Sequence, residues 1–175
     1  MEQSRQRNII DPLPGYVSEI GRWLWAIEDE RRKTLSVIEN LSLDVLDSQP
    51  ASSANTIGVL LYHLAAVEAS WVYEDVLEQD IPTELGQFFP HNSLDEQGLL
   101  TRLHGSTIDT YLQRLQVVRG KLLEVYEGMS LDDFRRVRRL PDYDATPEWV
   151  LHHLIQHEAE HRGHIEIIVE GFKAR

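Results

Sequence analysis

Thr146-Pro147-Glu148-Trp149-Val150-Leu151-His152-His153-Leu154-Ile155-Gln156-His157-Glu158-Ala159-Glu160-His161-Arg162-Gly163-His164 opens like a helix and then carries five of the chain's eight histidines. Thr146 suits the capping position, Pro147 the first helical position, and Glu148 faces the positive helix end. At about 100° per residue, Val150, Leu154, Ile165, Ile168 and Phe172 form one apolar stripe, the side a helix buries. His161 falls within that stripe and His157 at its edge, about 40° away. His153 and His164 lie further round, toward Glu160, and His152 points away and takes no role.

Three more long helical segments precede this one, separated by Pro, Gly and Asp/Asn punctuation. Residues 16–41 have apolar positions at Ile20, Trp23, Leu24, Ile27, Leu35 and Ile38 around a charged middle, Glu28 to Lys33. Residues 42–54, with Pro50, read as a connection with one short turn. The second helix starts at Asn55 or Thr56 and runs to about residue 77. Residues 79–92 read as a loop, and Ser93-Leu94-Asp95-Glu96 has the spacing of a capping box that opens a short helix before Gly105. The third helix spans 106–126, stopping at Gly128. The fourth ends at Val169 or Glu170, with Gly171 as its stop. Alternating strand patterns never persist. The expectation is all-α: a four-helix bundle in one domain over 1–175, with 1–14 as an N-terminal extension.

The net charge of -12 argues against nucleic acid as a general partner. The one basic cluster, Arg135-Arg136-Val137-Arg138-Arg139, reads as a solvated or anion-facing loop. With no cysteine, neither a Cys nucleophile nor a Cys-ligated zinc site is available. No apolar run is long enough for a membrane helix, and residues 1–8 lack the apolar core of a signal peptide, so a cytoplasmic protein with no membrane partner is expected.

Histidines four apart on one helix face can share a divalent cation, and the second helix offers a third ligand. There His63 falls among Val59, Leu60, Val67 and Trp71. Burying an imidazole without a partner costs about 1–3 kcal/mol. A cation shared with His157 and His161 would supply the partner; a hydrogen-bonded core histidine is the competing reading. His157-Glu158-Ala159-Glu160-His161 also matches the His-Glu-x-x-His protease motif literally. That motif needs a cleft built beside a sheet, and no strand pattern provides one.

Thr56-Ile57-Gly58-Val59-Leu60-Leu61-Tyr62-His63-Leu64-Ala65-Ala66-Val67-Glu68, followed by Trp71, resembles the second-helix signature of the DinB/YfiT superfamily. Residues 146–165 are similar to its fourth-helix signature, and Leu46-Asp47 with Pro50 to its first linker. The resemblance implies a bundle with a long crossover connection, often a homodimer. It also implies a divalent metal, zinc or nickel, on His63, His157 and His161. Many relatives have Gln where this chain has His164, which leaves that side chain as a fourth ligand, a proton shuttle or an outer support.

Three neutral imidazoles leave a coordination position open, as catalytic rather than structural sites do. Glu160 and His164 are the candidate catalytic residues, as proton-relaying groups. The resemblance implies a transferase acting on a small-molecule substrate with a low-molecular-weight thiol. The alternatives are a hydrolase using metal-bound hydroxide and a non-catalytic metal-binding stress-response protein.

Overall fold

Side-chain caps start three of the four long helices, at Thr56 and Thr146 as the sequence indicates and at Thr107, one residue past the expected start of the third. The hydroxyls of Thr56, Thr107 and Thr146 accept from the backbone N–H of Val59, Thr110 and Trp149. The computed structural model describes residues 8–39, 41–49 and 53–173. Its helices are α1 (Ser18–Ile38), α2 (Leu43–Leu46), α3 (Ile57–Ser70), α4 (Thr83–Gly86), α5 (Ile108–Glu127), α6 (Leu131–Phe134) and α7 (Pro147–Lys173). α3 runs on into a π-helical turn, Trp71–Val76, and two short antiparallel strands, β1 (Arg138–Arg139) and β2 (Asp144–Ala145), pair Arg138 with Ala145. The fold is all-α.

Cross-helix contacts give the directions. Gly58, Tyr62 and Glu68 of α3 meet Tyr111, Arg114 and Arg119 of α5 in the same order, so these helices are parallel. His63 and Trp71 meet His157 and His153, so α3 and α7 are antiparallel. Ile27 and Arg31 of α1 meet Arg119 and Leu115 of α5 in reverse order. The order is therefore up-down-down-up. A parallel α3–α5 pair requires the chain to return the length of the bundle, which residues 77–107 do. The core lies between the four helices, with Leu24, Ile27, Leu60, Leu61, Leu115, Leu122, Leu151, Leu154 and Ile168 buried. Among the described residues no helix is long and apolar enough to cross a membrane.

Three local expectations need correction. Ser93–Asp95 opens no helix: the Asp95 carboxylate accepts from the N–H of Gln97 and Leu99, Gly98 takes φ +77°, and the chain doubles back to bridge Leu94 to Leu100. An Asp turn with a left-handed glycine outcompetes a marginal capping box. Gly171 does not stop α7, because it takes no positive φ and Phe172 packs on the core one residue later. The Arg135–Arg139 cluster is solvated, as expected, at Arg135, Arg136, Val137 and Arg139, but not at Arg138. Arg138 is buried, donating to Val76 O, Asp133 O, Arg136 O and Asp133 Oδ2, while Arg135 and Arg136 pair with Glu19 and Asp133. Residues 8–14 of the extension lie against α1, with Leu13 N–H donating to Gly21 O. Residues 1–7 are outside the described residues.

Candidate metal centre

His63 on α3 and His157 and His161 on α7 converge. His157 Nε2 lies 3.1 Å from His63 Nε2 and 3.1 Å from His161 Nε2. The three rings stand mutually within 4.5–5.0 Å of centroid separation. A neutral imidazole Nε2 carries either one hydrogen or one lone pair, so His157 cannot make both contacts as good hydrogen bonds. One cation accepting three lone pairs removes the conflict. Zinc–nitrogen bonds of about 2.0–2.1 Å in a tetrahedron put ligand nitrogens about 3.3 Å apart, close to the spacing here. The three residues fit a divalent metal, and the group could hold one.

Electrostatics favours the ligating form. Burial, then the charge of His161, lowers the His63 pKa from 6.5 to about 4. Burial, with His161, His63 and His153, takes His157 to about 3. Both rings are therefore neutral at physiological pH, as a ligand must be. The Nδ1 atoms of His63 and His161 are buried without a hydrogen-bond partner, so no acceptor there sets their tautomers.

Glu160 and His164 stand at the exposed edge of this triad. The His164 ring is 5.7 Å from His161. Burial and His164 lower the His161 pKa, and the charge of Glu160 opposes them. His152 keeps away from the triad and packs edge-on against Trp23.

Glu158, the acid of the literal protease motif, faces the opposite way. It is 2% exposed and belongs to a buried quartet with one member from each long helix. Arg31 Nε donates to Glu158 Oε1 at 2.7 Å, and Arg31 Nη2 to Glu68 Oε2 at 2.6 Å. Arg119 Nε donates to Glu68 Oε1 at 2.7 Å, and Arg119 Nη2 to Glu158 Oε2 at 3.1 Å. Burial works against the Glu68 carboxylate, but Arg119 and Arg31 outweigh it and lower its pKa. Sequence reading missed these four residues. The signal was present, since Arg31, Glu68, Arg119 and Glu158 each sit one helical turn from core residues Ile27, Leu64, Leu115 and Leu154.

A second unforeseen feature extends from His157. The His153 ring lies 5.8 Å from His157, stacks on Trp149 at 5.1 Å with a 4° interplanar angle, and meets Trp71 at 4.6 Å. Trp71 also touches Trp149 and Tyr143, at 5.3 and 5.7 Å.

With the cross-helix triad in place, comparison with known proteins becomes specific. The sequence profile of the DinB superfamily matches residues 26–165, a span holding all three histidines. The chain belongs to the DinB superfamily. It is also similar to the uncharacterized protein YkkA of Bacillus subtilis, with 25% identity over 150 residues covering 85% of each chain. In this DinB superfamily member the up-down-down-up bundle supplies the geometry: α3 and α7 run antiparallel, so a mid-helix ring on one meets an i, i+4 pair on the other.

Proposed function

We propose that this chain is a metal-dependent transferase acting on a small-molecule substrate with a low-molecular-weight thiol. The observation that carries the reading is the convergence of three neutral imidazole nitrogens at the partly open side of the bundle, where a metal would keep a free position. A divalent metal bound there supplies a Lewis acid able to favour the thiolate form of a cosubstrate. The chain has no cysteine of its own, in keeping with sulfur arriving on the cosubstrate. The family resemblance points the same way.

The remaining work falls to side chains. His63, His157 and His161 hold the cation in their neutral forms. In this reading His164, exposed beside His161, accepts the thiol proton and passes it to water. Glu160, four residues before His164 on the same helix, stabilises the imidazolium that results. Zinc and nickel both suit three imidazoles.

The test is metal analysis of tag-free protein alongside a conjugation assay with bacillithiol, mycothiol or glutathione and a soluble electrophile. Metal-dependent conjugate that disappears in His63→Ala supports the reading. Full metal occupancy without conjugate from any of the three thiols overturns the transferase assignment. Metal retained by His63→Ala overturns the cross-helix site itself.

A further inference from the structure

Two irregular pieces of backbone converge beside the histidine triad. The π-helical turn Trp71–Val76 interrupts the regular end of α3 and sets Trp71 against His153 and Trp149. Such turns concentrate at functional sites. The ribbon β1–β2, anchored where buried Arg138 donates to Val76 O at 3.2 Å, carries Tyr143 onto the same Trp71. The Tyr143 hydroxyl donates to Asp75 Oδ1 at 2.6 Å, which fixes the ring. The resulting aromatic surface is left in solvent: Trp149 is 45% exposed and Tyr143 46%.

Its surroundings are acidic. Burial, the hydrogen bond to Asp75, and the charges of Asp75, Glu74 and Asp142 push the Tyr143 hydroxyl up to about 12. Aromatic faces attract cations through their quadrupole, and carboxylates behind them add to the attraction. A neutral ligand gains neither attraction, and an anion is repelled by both.

We infer that Trp149, Tyr143 and Trp71 form a subsite for an organic cation, an alkylated ammonium group on the substrate that reacts at the triad. His153, stacked on Trp149, tilted against Trp71 and 5.8 Å from His157, joins the two parts. The role given to the cationic group rests on the metal-centre reading, whereas its binding rests on the rings alone.

The experiment titrates tryptophan fluorescence of the full chain with choline and with its uncharged isostere, 3,3-dimethyl-1-butanol, at fixed ionic strength. The expected result is binding of choline at least about fivefold tighter than of the isostere, with that preference lost in Trp149→Leu. Tyr143→Leu, changed at a separate exposed position, is expected to weaken choline binding as well. In metal-free His63→Ala the preference persists, so failure of the metal reading leaves this result standing. Equal affinity for the two probes, or an unchanged preference in folded Trp149→Leu and Tyr143→Leu, overturns the subsite.

Discussion

Replacing Glu158 by Ala separates the two readings that this position invites. As the acid of a His-Glu-x-x-His motif it would act in chemistry and matter little for folding. The structure instead buries it, accepting from Arg31 at 2.7 Å and Arg119 at 3.1 Å. Its removal leaves two buried guanidinium groups sharing Glu68, with the partly exposed Glu28 as the other acidic partner of Arg119. Breaking a buried ion pair by deleting one partner costs about 3–5 kcal/mol. Against a total stability of about 5–15 kcal/mol that is a fifth of the fold at the least. At about 2–4 °C per kcal/mol for a chain of this size, Tm falls by about 6–20 °C. Urea unfolding followed by circular dichroism reads the loss directly. Glu158→Gln, which keeps an acceptor oxygen, loses less. The double variant Arg31→Met with Glu158→Leu recovers part of the deficit, because an apolar pair leaves no stranded charge. A loss under about 1 kcal/mol with abolished turnover would refute the reasoning and restore Glu158 as a catalytic acid.

Acid destabilisation should begin well above the ordinary carboxylate range. His63 and His157 have folded pKa values of about 4 and about 3 against an ordinary 6.5. The unfolded chain therefore takes up protons first, and stability, complete above pH 6.5, declines from there toward pH 4. The urea midpoint should rise with pH across that window and flatten in a His63→Ala, His157→Leu variant; a flat wild-type profile would contradict the depressed values. Gly58→Ala should destabilise by about 1–3 kcal/mol, since its Cβ would come within 2.6 Å of the hydroxyl of fully buried Tyr111; an unchanged melting temperature would show that Tyr111 can move. His164→Ala and Glu160→Gln, both at exposed positions, should leave metal content and Tm unchanged while lowering turnover; loss of metal in His164→Ala would make that ring a ligand.

Much of the architecture was legible because each long helix carries local signals that agree with its packing. The Thr146-Pro147-Glu148 start, the α7 stripe and the place of His63 among apolar neighbours needed no tertiary knowledge. Gly171 and Ser93–Asp95 misled because caps are weak signals, worth about 1 kcal/mol, and packing of Phe172 or an Asp95 turn outweighs them. The quartet was hidden for another reason. One charge in an apolar stripe reads as a solvated edge until its partners, 37 to 127 residues away, are known to meet it. The aromatic surface depends on a π-helical turn and a two-residue ribbon, both too short to leave a periodicity.

The division of the buried quartet among the helices bears on how the bundle is completed. Without α7, Arg31 and Arg119 face Glu68 and the partly exposed Glu28, and the carboxylate that closes the quartet is missing. α7 brings that carboxylate and two of the three imidazoles together, so docking of this one helix both completes the quartet and assembles the histidine triad.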